Sequence, residues 1–548
     1  MRHIRAWSIL AIAMASCVAL LLAVRARERS SISSTPALHP LTHDRLRAAE
    51  RDSANWLTYS GQYSGQRFSR LAAINRANAG QLQIRWIYQL RTTDAVETTP
   101  LVVDGVMYLT RANDVIALDA ETGRPYWTYS HPLPAELALC CGRQNRGVAM
   151  LDGRLFVATL DAKLVALDAA TGMVLWTTVI ADPRDGYSST GAPLVVKDKV
   201  ITGIAGGEFG IRGFIDAYDA ATGARVWRFD TVPGPGAPGH ETWAGDSWKS
   251  GGAPTWMTGT YDPSLNLLYW GVGNPGSDWN GSQRGGDNLY SDSVVALNPD
   301  DGTLRWHFQF TPHDEHDWDA TQVPVLVDAI RDGRSRKLLY TANRNGFFYV
   351  LERETGAFLL AREFAKQTWA ERIDERGRPV VNRGVAPSPE GVFVAPSANG
   401  AANWWPPAYS PATGLFYVTA YDGGATFFSG ESPHVPGEML LGGTIGEEDP
   451  TPDGVSAVRA LDPLTGARRW EFRLKPKSMS GLLATAGGLV FGGSIDGYVF
   501  ALDAWSGADL WHRSVGGAVL AAPISYAVHD VQYLSIAAGD TIVTFSLR

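Results

Sequence analysis

Two hydrophobic patterns divide the chain. The first is an apolar run from Trp7 to Val24, 18 residues broken only by Ser8 and Ser16, with Arg2, His3 and Arg5 before it and Arg25, Arg27 and Arg29 after it. A membrane span needs about 17–25 residues and a signal-peptide core about 7–15, so residues 1–29 are read as an export signal or a single membrane anchor. Basic residues on both flanks leave no asymmetry from which to argue orientation. Lipidation at Cys17 is a third option, but apolar residues continue after it. Residues 30–52 are Ser-, Pro- and charge-rich and read as a tether with one short helix around Asp44–Glu50.

The second pattern is a strand-like alternation that stops repeatedly at one phrase, Ala-Leu-Asp-Ala-x-Thr-Gly-x-x-x-Trp. It stands whole at Ala117–Trp127 and Ala166–Trp176, and with Tyr218 for Leu at Ala217–Trp227. Altered copies follow at Ala296–Trp306, Ala460–Trp470 and Ala501–Trp511. Val350–Leu360 lacks the Trp, and Ile74–Trp86 carries Asn78-Ala79-Gly80 before its own, which makes eight. Each copy predicts a strand, an Asp/Thr/Gly turn whose glycine takes a positive φ, and a second strand ending at Trp. Successive Trp positions step by 41, 49 and 51 residues from Trp86, the length of a four-stranded blade. The predicted fold is therefore all-β, an eight-bladed β-propeller over residues 53–548. The repeat Trp residues are read as wedges between blades. The long interval from Leu360 to Trp470 holds only one further repeat and predicts an insertion covering one face.

Composition agrees with a sheet protein: 19 Trp need packing and 58 Gly serve tight turns. A net charge of −8 without a long Lys/Arg run leaves no footprint for nucleic acid. The three cysteines, Cys17 and the adjacent Cys140 and Cys141, form neither a zinc pattern nor a Cys-x-x-Cys-His haem site, so any haem must sit on another protein.

Function should lie where the repeat is broken. Thr311-Pro-His-Asp-Glu-His-Asp-Trp-Asp319 packs four acids and two histidines into nine positions, a set that repels itself unless a cation is present. The alternative is an acidic solvent loop. Gly203–Gly210 carries the single acid Glu208, and Trp270–Pro275 the single amide Asn274, each among glycines that let a flat ligand or metal approach the backbone. The first of these lacks the Gly-Lys-Ser/Thr of a nucleotide loop.

Together with the repeats, Cys140-Cys141, Gly206-Gly207-Glu208, Gly273-Asn274-Pro275, His313–Asp319 and Asn343-Arg344-Asn345-Gly346 make the chain resemble the pyrroloquinoline quinone (PQQ)-dependent alcohol dehydrogenases from about Trp56 onward. The resemblance implies a metal held by Glu208, Asn274 and Asp317, an oxygen set suited to a hard cation. Asp317 is then also the catalytic base, and Asp319 is similar to the extra ligand of lanthanide-dependent members. It further implies PQQ between Trp256 and a vicinal Cys140–Cys141 disulfide, with polar contacts from Glu97, Arg146, Thr190, Arg344, Asn403 and Trp404, and backbone approach at Gly206 and Gly207.

Two departures, His316 in place of the family's usual Trp and Ser478-Met479-Ser480 without an aromatic, bear on the substrate pocket. The resulting expectation is a periplasmic enzyme, anchored or free, that oxidises a primary alcohol with PQQ and one lanthanide ion or Ca²⁺, passing electrons to a cytochrome c or membrane quinone. The alternatives are a non-catalytic envelope-assembly scaffold and a quinoprotein sugar dehydrogenase.

Overall fold

The computed structural model describes residues 35–547 apart from 332 and 451–453. The expected signal or anchor and Cys17 lie outside the described residues. Among the described residues, no helix is long and apolar enough to cross a membrane.

The chain is all-β and propeller-like. Among the described residues, eight sheets share one plan, four antiparallel strands in meander order; one is Leu101–Val103, Val106–Arg111, Asp114–Asp119 and Pro125–Ser130. A fifth strand, Phe68–Ser69, adds in parallel to one of the eight at Leu483–Thr485. In another, the outer strand comes from early in the chain: Gln83–Gln89 pairs antiparallel with Thr541–Ser546.

The repeated phrase explains how neighbouring sheets lock. Asp119 Oδ1 accepts the backbone N–H groups of Glu121 and Thr122 and the Thr122 hydroxyl, closing the turn; Asp168, Asp219 and Asp503 do the same. The turn glycine then has a positive φ, +73° at Gly172, and lies flat under the Trp of the preceding repeat. A Cβ on Gly172 would stand 2.5 Å from the Trp127 ring, and Gly123, Gly223, Gly302, Gly356 and Gly507 meet Trp86, Trp176, Trp227, Trp306 and Trp470 in the same way. Where Leu360 replaces Trp, Gly466 faces Leu360 and Arg362 instead. The motif's alanine is the cross-strand partner of its Trp, Ala117 opposite Trp127 and Ala166 opposite Trp176, a small residue that leaves room for the indole. The wedge reading thus holds. One detail differs: Trp127 sits in the middle of Pro125–Ser130 rather than ending it, because the turn consumes only the residues up to Arg124.

From Thr35 onward the segment expected as a tether packs on the sheets. A helix, His43–Arg47, and a 3-10 turn, Ala49–Arg51, occupy the place predicted for a short helix, with Leu41, Leu46 and Ala49 buried in the main core. Arg45 ties the helix down through Asp104 and Asp52. The interval after Leu360 carries two extra sheets, Ala370–Ile373 with Pro379–Val381, and one built on Gly423–Ser429 with Val392–Val394 and Gly443–Ile445.

Candidate functional site

Three loop segments meet through glycine. Gly206, at φ +113°, opens the 3-10 turn Gly207–Phe209 that carries Glu208; a Cβ there would stand 2.1 Å from the Gly186 carbonyl oxygen. A Cβ on Gly273 would fall 2.0 Å from Asp319 Oδ1, so only glycine lets that carboxylate accept the Asn274 backbone N–H, at 2.9 Å. The acidic loop itself is folded by Asp314, whose two oxygens accept the N–H groups of His316 and Trp318. Asp317 then takes a left-handed φ of +59°, and Asp319 is buried beside Arg344.

Arg344 organises the acids. Its Nη1 donates to Asp319 Oδ2 at 2.5 Å and its Nη2 to Asp317 Oδ2 at 3.3 Å, while its Nε donates to the Ala398 carbonyl. Trp256 Nε1 donates to the same Asp319 oxygen at 3.1 Å. The Arg146 guanidinium lies 4.8 Å from the Trp256 ring centroid and pairs with buried Glu97 at 2.6 Å.

A cavity of about 440 Å³ unites these groups. Of the residues predicted from sequence, Glu97, Cys140, Cys141, Arg146, Thr190, Gly206, Glu208, Trp256, Asp317, Asp319, Arg344, Asn403 and Trp404 line it. Gly207 and Asn274 do not line it, but the Asn274 side-chain amide donates at 2.9 Å to Oδ1 of Asp278, which does. Cys140 and Cys141 form a vicinal disulfide. Glu208 Oε1 contacts Cys141 Sγ at 3.8 Å, but a disulfide sulfur has neither proton nor thiolate to offer.

Burial governs the charges. It pushes the Glu208 carboxyl up to about 7 and the Asp317 carboxyl well above the usual carboxylate range. Repulsion from Asp319 adds to both, and Asp278 and Glu208 add to the shift at Asp317, against the pull of Arg344. Among the described residues, the acids do not close to within 4.8 Å of one another in any group of three, so a cation would have to draw them together. The donor set nevertheless suits one: all oxygen, largely buried and short of positive charge. Arg146 Nε and Nη1, Asn403 Oδ1 and Trp404 Nε1 are buried with no hydrogen-bond partner, polar atoms on the cavity wall that suit a flat, oxygen-rich ligand.

Comparison with known proteins agrees with this wall. The family profile described as "Glucose/ethanol/alcohol dehydrogenase, beta-propeller domain" matches residues 56–365, more than half the chain. The chain belongs to the PQQ-dependent alcohol dehydrogenase family. It is 40% identical over 502 residues to the quinoprotein alcohol dehydrogenase PedH of Pseudomonas putida, covering 87% of this chain and 84% of that protein. It is 37% identical to the lanthanide-dependent methanol dehydrogenase of Methylacidiphilum fumariolicum, over 91% and 86% of the two chains. A europium-containing methanol dehydrogenase structure superposes with a TM-score of 0.87 at 34% identity, over 92% of this chain and all of the other. A second profile, the outer membrane protein assembly factor BamB, matches residues 455–546, where two of the repeats lie.

In this quinoprotein dehydrogenase the two departures in the sequence fall outside the cavity. His316 is buried, stacks on Trp318 at 4.4 Å and donates from Nε2 to the Val385 carbonyl; burial lowers its pKa to about 4, so it is a neutral packing residue. Ser478 and Ser480 hydrogen-bond to the backbone carbonyls of Gly493, Gly481 and Ala521. Sequence reasoning missed Asp278 and Trp279, which line the cavity four and five positions after Asn274, and the apolar side chains Leu139, Met439, Leu441 and Ile445. The spacing from Asn274 was the available signal for Asp278, although an acid beside Gly and Ser reads first as a turn residue.

Proposed function

We propose that the chain is a periplasmic alcohol dehydrogenase that oxidises a primary alcohol to the aldehyde with PQQ and one metal ion, a lanthanide in preference to Ca²⁺. The observation that carries this is the cavity in which carboxylates short of positive charge face Trp256, the vicinal disulfide and orphaned polar groups. Trp256 and the disulfide would flank the quinone, with Arg146, Asn403 and Trp404 meeting its polar edge. Glu208, Asn274, Asp317 and Asp319 would hold the metal. When bound, these groups supply a two-electron acceptor and a Lewis acid beside it. Asp317 takes the hydroxyl proton of the alcohol, its carboxylate standing on the cavity wall within reach of Arg344. Arg344 keeps that carboxylate turned into the cavity and shares its charge with Asp319.

The apolar lining from Leu139, Trp279, Leu441 and Ile445 favours an alcohol with a hydrocarbon tail over a sugar. We read the eight like sheets as eight blades of one ring, closed where Gln83–Gln89 joins the last sheet. A disulfide and the run Trp7–Val24 support export, and the 38% identity to a 1-butanol dehydrogenase (cytochrome c) supports a cytochrome c, with a membrane quinone as the alternative, as electron acceptor.

The test is dye-linked alcohol oxidation by the purified protein given PQQ with La³⁺, with Ca²⁺ or with neither. Alcohol oxidation that requires PQQ and a metal, is highest with La³⁺ and falls at least a thousandfold in Asp317→Asn is expected. Failure to bind PQQ would sink the assignment in favour of a scaffold.

A further inference from the structure

Asp278 is 2% exposed, yet it borders the same cavity as Glu208, Asp317 and Asp319. Its Oδ1 accepts the Asn274 side-chain amide, and among the described residues its Oδ2 receives no hydrogen bond and no cationic side chain pairs with it. The nearby Arg284 is committed elsewhere, donating to Asn288 Oδ1 and to the carbonyls of Ser277 and Asp314. A buried carboxylate without a cation is costly unless a metal or a proton compensates it. Asp319, by contrast, already accepts from Arg344, Trp256 and the Asn274 N–H, three of the roughly four lone-pair positions a carboxylate offers.

We infer that Asp278 is an additional carboxylate of the metal site, one that orients Asn274 and biases the site toward a trivalent ion. The inference rests on the proposed PQQ and metal reading of the cavity. With Asp278 included, four carboxylates face one guanidinium, that of Arg344, and full ionisation leaves three net negative charges. A trivalent ion neutralises that set and a divalent ion does not. Coulomb attraction scales with ionic charge, so each carboxylate favours a trivalent over a divalent ion by a factor of about 1.5 in energy at equal distance. Asp278 also explains how the Asn274 amide is set: its NH₂ is held by Asp278, which leaves the amide oxygen as the free donor atom.

The experiment is direct ion binding. Metal-free protein carrying PQQ is titrated with Tb³⁺, followed by Trp-sensitised luminescence, and the bound Tb³⁺ is displaced with La³⁺ or Ca²⁺. Asp278→Asn keeps an acceptor for Asn274 and removes only the charge; Asp278→Ser is the second variant should the first misfold, with near-ultraviolet circular dichroism as the folding check. La³⁺ affinity reduced at least tenfold, with a smaller loss for Ca²⁺, is expected. Unchanged La³⁺ affinity, or equal losses for both ions, would overturn the inference while leaving the proposed function standing. Wild-type protein that binds neither Tb³⁺ nor Ca²⁺ in the presence of PQQ would overturn both.

Discussion

Gly273 shows how little room the site leaves. A methyl group there would stand 2.0 Å from Asp319 Oδ1, so Gly273→Ala must push the carboxylate off the Asn274 N–H and strain its bond to Arg344. Overpacking of this kind costs about 1–3 kcal/mol. The expected outcome is a drop in melting temperature of a few degrees with at least a tenfold loss of kcat, whereas a variant with wild-type kcat would show that Asp319 need not hold this position. At this scale the acids that meet at the cavity were named from the sequence through the family resemblance, Glu208 in its glycine-rich stretch and Asp317 and Asp319 in the acid-dense segment after Thr311, a segment whose pattern alone reads equally as a solvent loop. Asp278 was not, since the hydrogen bond that turns it inward comes from Asn274 and exists only once the loop is folded.

The elements carry a different signal. Six turn glycines lie flat under the indole of the preceding repeat, and each such contact joins two sheets. Gly172→Ala combines a disfavoured positive φ with a clash into Trp127 and should destabilise by about 2 kcal/mol or more, read as a lowered denaturant midpoint with unchanged activity at low temperature. The repeats were readable for the same reason they work: one phrase encodes turn, wedge and cross-strand alanine together. The insertion after Leu360 has no such repetition, so although Asn403 and Trp404 were named through the resemblance, its sheets and the apolar side chains Met439, Leu441 and Ile445 that it brings to the cavity could not be placed beforehand. Those side chains make the prediction at this scale. Leu441→Ala removes a wall of the cavity and should shift kcat/KM toward bulkier alcohols by about tenfold, measured across a series of chain lengths.

Across the whole molecule, buried acids set the acid limit of stability. Asp161 is held below the usual carboxylate range because hydrogen bonds from His131, Lys163 and Thr159 outweigh burial, and Asp262 and Asp422 are held low against burial, the first by the Ser264 hydroxyl together with Arg353 and the second by Arg459. Each takes up its proton in the unfolded chain near pH ~3.9 but at lower pH when folded. Their stabilisation is therefore complete above about pH 4 and is lost as the pH falls through the lower folded values. Melting temperature measured from pH 6 to pH 2 should be nearly flat with respect to these groups until about pH 4 and then fall steeply. Asp161→Asn should flatten that fall.

The sheet joining Gln83–Gln89 to Thr541–Ser546 brings together strands about 450 residues apart in sequence. Among the described residues Thr541–Ser546 is the only strand paired with Gln83–Gln89, so the early strand has no ladder partner until almost the last residue has been made. The fold therefore checks its own length. A chain stopped short of Thr541 has every cavity-lining side chain described above and still lacks the one strand that pairs with Gln83–Gln89.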